Sequence, residues 1–379
     1  MGYYDIMRRR VLLAGQRLTL ITKPGVVPWD ESEMAATLLA EDAEVNEGTR
    51  VLLLEGGAGA LAVWAARRGA LVDACDGSLV AGRMTAQTLA VNDVQGVTVH
   101  SVPVPPPELD GTFDVVLLPM PKGRAYTQLL IAAALRALKP GGRLYLAGPN
   151  AGGAKALVKD AGELFGRAAT LRTKARCRVA LAVRPADAAL PPVPEPAPFE
   201  ALGLTLFGLP GVFSRDGLDD GTAMLLSTID AALCDGARVL DVGCGSGVIG
   251  FHALRQGAVS ADLIDSDWAA LDCAARGRTA NGFDDSCRVW GSDLFADVPD
   301  EPYDLILSNP PFHTGHGVDT AVAEALIAGA KERLARRGRL RLVANRFLPY
   351  EGVMRRAFGT NNVSTVTEDT RYTILEARA

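Results

Sequence analysis

The chain has 379 residues with a formal net charge of −5, enough length for two domains of ordinary size and too acidic a balance for a histone-like polycation. No run of about 18 apolar residues occurs, so no membrane span is expected. The charged opening "MGYYDIMRRRVLLAGQRLTLI" is interrupted by Gln16 and Arg17 and does not read as a secretory signal. Six cysteines (Cys75, Cys177, Cys234, Cys244, Cys273, Cys287) show no CxxC spacing, which fits a reducing cytoplasm rather than a disulfide framework or a zinc site.

In chain order, the first half alternates short apolar runs ("RVLLLE", "LVDAC", "VTVHSV", "FDVVLL", "RLYLAG") with helical patterns. A Pro-rich stretch, "PADAALPPVPEPAP", follows from Pro185 to Pro198 and reads as a semi-rigid linker. The second half repeats the alternation with "RVLDVG", "ADLID", "CRVWGS", "YDLILS" and "RLRLVA". Strands alternating with helices predict mostly parallel, doubly wound sheets. The expected organisation is residues 1–184, a linker at 185–201, and residues 202–379.

The halves match each other in order. Laying "RVLLLEGGAGAL" over "RVLDVGCGSGVI" brings Gly57 onto Gly245 and Gly59 onto Gly247; Asp76 then falls near Asp265, Asn92 near Asn281, and "FDVVLLPMP" over "YDLILSNPP". The fold class read from this is α/β, two tandem doubly wound Rossmann-like domains from a duplication.

The chemistry gathers in the second half. In "LDVGCGSG" a strand ends at Asp241, and Gly243, Gly245 and Gly247 open a helix whose free N–H groups suit an anionic group. A plain strand-to-helix turn is the competing reading. Asp265 ends the next strand, where a carboxylate can accept both hydroxyls of a ribose, and Asp293 follows the third, where it can accept from an adenine amine. Each taken singly reads equally well as a helix cap or turn residue.

The fourth strand ends in Asn309-Pro310-Pro311-Phe312. This tetrapeptide resembles the signature of class I S-adenosylmethionine-dependent methyltransferases that act on planar nitrogens. The resemblance implies that Asn309 and the Pro310 carbonyl hold the target amine, that Pro311 stiffens the backbone, and that Phe312 stacks on the base. "LPGVFSRDGLDDGTAMLL", "NPPFHTG" and "RLVANRFLPYEGVMRRAFG" narrow the resemblance to bacterial rRNA guanine-N2 methyltransferases of the RsmC and RlmG type. It implies S-adenosyl-L-methionine as cofactor, held by Asp241, Gly243, Gly245, Gly247, Asp265 and Asp293. Thr222 and Phe213 would line the cofactor or base pocket. Ribosomal RNA or a ribosomal subunit is the implied partner, with 16S favoured over 23S rRNA, no metal, and a cytoplasmic monomer. Protein glutamine-N5 or DNA adenine-N6 methylation, and a non-enzymatic assembly factor, are the alternatives.

The first half departs from the motif where Leu53, Glu55 and Pro119-Met120-Pro121 replace Asp241, Gly243 and Asn309-Pro310-Pro311. A degenerate domain for substrate docking or stabilisation is expected. Its Arg172, Lys174, Arg176 and Arg178 read as a cationic stripe on one strand face able to track phosphates, or as edge-strand protection. Nine Lys or Arg between Lys331 and Arg356 form a second basic stretch. His313, His316 and Asp319 lack the spacing of a metal site.

Overall fold

A computed structural model describes residues 2–26, 32–310 and 316–379. Two compact units result: Ile6–Glu195, and Pro196–Ala379 together with Met1–Asp5.

The N-terminal unit opens with an antiparallel hairpin of β1 (Met7–Leu13) and β2 (Gln16–Thr22), then α1 (Ser32–Asp42). There follow β3 (Arg50–Leu54), α2 (Ala60–Ala66), β4 (Leu71–Asp76), α3 (Leu79–Val91), β5 (Val97–Ser101), β6 (Phe113–Pro119) and α4 (Arg124–Ala137). The unit closes with β7 (Leu138–Pro149), α5 (Ala154–Phe165), β8 (Ala168–Lys174) and β9 (Cys177–Val183). Its seven-stranded sheet runs β5-β4-β3-β6-β7-β9-β8, parallel as far as β7 and antiparallel beyond.

The C-terminal unit repeats this plan. A hairpin of β10 (Ala197–Ala201) and β11 (Leu204–Gly208) leads into α6 (Asp220–Leu226), α7 (Ala231–Cys234), β12 (Arg238–Val242), α8 (Val248–Arg255) and β13 (Ser260–Asp265). Then come α9 (Trp268–Ala280), β14 (Cys287–Gly291), β15 (Tyr303–Ser308), α10 (His316–Arg333), β16 (Leu334–Asn345), α11 (Tyr350–Phe358), β17 (Val363–Glu368) and β18 (Tyr372–Arg378). The sheet order β14-β13-β12-β15-β16-β18-β17 is that of the first unit, strand for strand.

Central strands such as "RVLDV" and "YDLILS" are near-continuous apolar runs because both faces of a parallel sheet are covered by helices. One face packs around Phe251 and Leu263, the other around Tyr303, Ile306 and Ile327.

Hydrogen bonds carry the duplication to the level of single atoms. Asn92 exchanges two bonds with Thr19, tying α3 to its hairpin; Asn281 does the same with Thr205, tying α9 to β11. Asp114 accepts from the Arg50 N–H and Asp304 from the Arg238 N–H, both at 2.9 Å. Backbone donors at a parallel strand start need partners, and the same side chain supplies one in each half.

Two basic features differ from expectation. Arg172 and Lys174 lie on β8 and pair with Glu41 and Asp42 of α1, Arg176 sits in the turn, and Arg178 belongs to β9. The four therefore do not form a stripe on one strand face, because the chain reverses at Ala175 and Arg176, both at positive φ. Along Lys331–Arg356 six of the nine cations pair with carboxylates among the described residues: Arg339 and Arg341 with Glu376, Arg355 with Glu351, Arg356 with Glu324, Arg333 with Asp300 and Arg346 with Glu368.

Candidate active site

Four parallel strands, β14, β13, β12 and β15, bring their carboxyl ends to one edge of the sheet, and each delivers an acidic or amide residue there. Open α/β sheets bind ligands at that edge, next to the point where strand order reverses, here between β12 and β15.

Beyond β12 the loop Gly243–Gly247 turns into α8. Gly243, Gly245 and Gly247 all have positive φ, at 72°, 54° and 85°, a region that costs other residues on the order of 1 kcal/mol. Their surroundings separate them. A Cβ placed on Gly243 or Gly245 would meet nothing within 4 Å, so both open onto free space. A Cβ on Gly247 would lie 2.7 Å from Phe251 and 2.8 Å from Leu263, so this glycine serves packing of the loop against the sheet.

Asp241 lies fully buried beneath the loop, its Oδ2 accepting from the Gly250 N–H of α8 at 3.0 Å. Its Oδ1 has no hydrogen-bond partner among the described residues. Burial pushes its pKa up to about 7, against the Gly250 hydrogen bond and with help from the neighbouring Asp265 charge.

Asp265, the last residue of β13, binds the loop instead of a helix end: Oδ2 accepts from the Gly245 N–H and Oδ1 from the Asp267 N–H, both at 3.0 Å. Burial raises its pKa while these N–H groups oppose the shift. The cap of α9 is Asp267, so Asp265 is not the helix cap; its bond to the N–H two residues on is the turn role that the sequence also allowed. Asp293 follows β14 by two residues and is buried, its Oδ1 accepting from the Tyr3 hydroxyl at 2.6 Å.

Asn309 directly follows β15. Its Nδ2 donates to Thr222 Oγ1 at 2.8 Å and to Asp219 Oδ2 at 3.1 Å. A carboxylate can only accept, so Asp219 fixes which end of the amide faces it. The opposite end, Asn309 Oδ1, is buried with no hydrogen-bond partner among the described residues. An unpaired buried acceptor costs about 1–3 kcal/mol, and such an atom marks a place for a donor from outside the chain. Pro310 is buried; Pro311, Phe312 and His313 lie outside the described residues, as do the side chains of His316 and Asp319.

Asp219 was not singled out in the sequence. It caps α6, accepting from the Gly221 and Thr222 N–H groups at 2.9 and 3.0 Å, and also accepts from the Thr222 hydroxyl. The run "DDGT" ahead of a helical stretch is a cap signal, but only the fold shows that the same carboxylate reaches a residue 90 positions away. Thr222 thereby supports Asn309, while Phe213 is well exposed at 59%.

The equivalent edge of the N-terminal unit keeps the frame and loses the opening. Asp76 accepts from the Gly57 N–H as Asp265 does from Gly245. Glu55, at φ 54° in the place of Gly243, turns its carboxylate toward the end of β4 and toward α4, accepting from the Gly77 N–H at 3.1 Å and the Tyr126 hydroxyl at 2.7 Å. A hollow of about 410 Å³ remains beside it, its lining mixing Val11, Leu20 and Leu61 with Arg9, Arg10 and Glu55 itself.

This sheet order, with a glycine loop after the first parallel strand, a carboxylate after the second and Asn-Pro after the fourth, defines a class I methyltransferase. Residues 17–180 and 203–376 each match the model of the methyltransferase small domain, and the chain belongs to that family. It is 40% identical over 273 residues to the ribosomal RNA small subunit methyltransferase C of Chromohalobacter salexigens, covering 72% of this chain and 80% of that one. The protein of the same description from Shewanella amazonensis is 33% identical over 271 residues, covering 70% and 77%. Among solved structures, the T. thermophilus 16S rRNA N2 G1207 methyltransferase RsmC, in complex with AdoMet and guanosine, superposes with a TM-score of 0.83. That likeness, at 30% identity, covers 100% of this chain and 98% of that one.

Proposed function

We infer that the chain methylates the exocyclic N2 of a guanine in 16S ribosomal RNA, with S-adenosyl-L-methionine as methyl donor. The observation that carries this reading is the buried Asn309 Oδ1, without a hydrogen-bond partner among the described residues and held in place by Asp219 and Thr222 at the sheet edge where Asp265 and the glycine loop gather.

The residues present fit the donor. Gly243 and Gly245 leave room for its methionine end, and we read Asp265 as the acceptor for its ribose hydroxyls and Asp293 as the acceptor for its adenine amine, both being carboxylates just beyond adjacent strands of the same sheet edge. Asp241, wholly buried, serves this site by holding the start of α8 through Gly250. When bound, S-adenosylmethionine supplies a methyl group already activated on its sulfonium, so no strong general base is required of the chain.

The chain's task is alignment. The guanine amine is a weak nucleophile because its lone pair is delocalised into the ring. Asn309 Oδ1 accepts one N–H and the Pro310 carbonyl the other, which localises the lone pair and directs it at the methyl group. Positioning and fixed dipoles of this sort are worth several kcal/mol of barrier. Pro311 and Phe312 complete this picture as backbone stiffener and stacking partner for the flipped base, whose extrusion costs a few kcal/mol.

Within this reading the N-terminal unit serves docking or stability rather than transfer, since Glu55 occupies its own glycine position. No helix among the described residues is long and apolar enough to cross a membrane. A cytoplasmic monomer acting on ribosomal RNA is the setting we propose. Incubation with labelled S-adenosylmethionine and undermethylated 30S or 50S particles tests it: label is expected in 16S rRNA, and label confined to 23S rRNA or to protein would overturn it.

A further inference from the structure

The first residues of the chain belong to the C-terminal unit, not to the unit that follows them in sequence. Tyr3 is only 8% exposed; its ring packs with Leu294, Ala321, Val322 and Ala325. Its hydroxyl donates to Asp293 Oδ1 at 2.6 Å across 290 residues of chain. The neighbouring Tyr4 hydroxyl donates to the Asp293 carbonyl and accepts from the Phe295 N–H, each at 3.3 Å. The two rings meet edge to face with centroids 5.1 Å apart.

One dipeptide thus grips the turn after β14 by a side-chain carboxylate, a backbone carbonyl and a backbone N–H. That turn needs gripping: Leu294 holds φ 49°, a conformation that costs a non-glycine residue on the order of 1 kcal/mol. Burial together with the Asp293 charge drives the Tyr3 pKa far above its ordinary value, so the hydroxyl remains a donor throughout the physiological range. A strong hydrogen bond to one carboxylate oxygen narrows the rotamers the group can adopt, and recognition of a flat heterocycle depends on that orientation.

We propose that Tyr3 is a positioning residue for recognition of the cofactor's base: by donating to Asp293 Oδ1 it sets that carboxylate in the orientation that accepts an adenine amino group. The inference rests on the reading of Asp293 as the adenine acceptor. Position 3 then contributes to methyl-donor selection although it lies far in sequence from every motif of the site.

The test compares an amino with an oxo purine. Full-length wild type, Tyr3→Phe and Asp293→Ala are titrated calorimetrically with S-adenosylhomocysteine and with S-inosylhomocysteine, whose 6-oxo group repels a carboxylate. Wild type is expected to prefer the adenosyl ligand, Asp293→Ala to lose the preference, and Tyr3→Phe to lower the affinity ratio about tenfold. A purely structural Tyr3 would weaken both ligands alike. A retained ratio in Tyr3→Phe beside a lost one in Asp293→Ala overturns the role of Tyr3 alone. A retained ratio in Asp293→Ala overturns the reading of Asp293 and the inference with it. Tighter adenosyl binding by Tyr3→Phe also overturns the inference, since Tyr3 would then compete with the base. A variant lacking residues 2–5 is expected to reproduce the Tyr3→Phe ratio.

Discussion

The role proposed for Asn309 depends on its amide being oriented from behind. Asp219 does that, and replacing it separates orientation from binding: Asp219→Ala is expected to lower kcat about tenfold with cofactor affinity unchanged. Loss of the α6 cap should cost about 0.5–2 kcal/mol of stability, visible as a modest fall in Tm. Unaltered kcat beside a lowered Tm would reduce Asp219 to a helix cap. Asp241 makes a different prediction, through pH. Its folded-state pKa of about 7 stands above the ordinary 3.8, so the native state holds this proton more tightly than the unfolded chain. The resulting stabilisation is fully present below about pH 4 and is lost as pH rises through about 7. Asp241→Asn keeps an acceptor for the Gly250 N–H and removes the charge. Its Tm is therefore expected to fall less than that of wild type between pH 5 and 8, and parallel Tm profiles would contradict the assignment.

At the level of elements, the glycine loop divides into a ligand-facing part and a packing part. Gly245→Ala is expected to weaken cofactor binding at least tenfold with a Tm loss of about 1 kcal/mol equivalent, as a strained backbone faces an open cradle. Gly247→Ala meets Phe251 and Leu263, and overpacking of this kind typically costs 1–3 kcal/mol on top of the strain, so it should depress Tm more. Equal Tm losses in the two variants would refute the division. The sequence alone showed three glycines of one motif; only the packed neighbours tell them apart. The mostly parallel, doubly wound architecture, by contrast, was legible, because buried parallel strands write themselves as apolar runs alternating with helical patterns. The cationic stripe misread a hairpin as one strand: Ala175 and Arg176 adopt positive φ without a glycine to announce the turn. Tyr3 and Asp219 were invisible for a common reason, since each acts on a residue distant in sequence through a contact that only the fold creates.

The whole molecule is one plan used twice, with matched bonds at Asn92 and Asn281, Asp114 and Asp304, and Asp76 and Asp265. What differs is occupancy of the loop: Glu55 satisfies its own carboxylate with Gly77 and Tyr126, and burial holds its pKa above the ordinary value. Calorimetry is therefore expected to give one S-adenosylhomocysteine per chain, and none measurable in Asp265→Ala; a second site surviving that substitution would show that the N-terminal unit still binds. Transfer to a guanine N2 aligned by Asn309 can be followed by mass-spectrometric nucleoside analysis of 16S rRNA from undermethylated 30S subunits treated with wild type or Asn309→Ala. N2-methylguanosine is expected with wild type, and a rate lower by about 10² to 10³ with the variant at unchanged cofactor affinity. Absence of N2-methylguanosine with wild type, or equal rates for the two proteins, would contradict it.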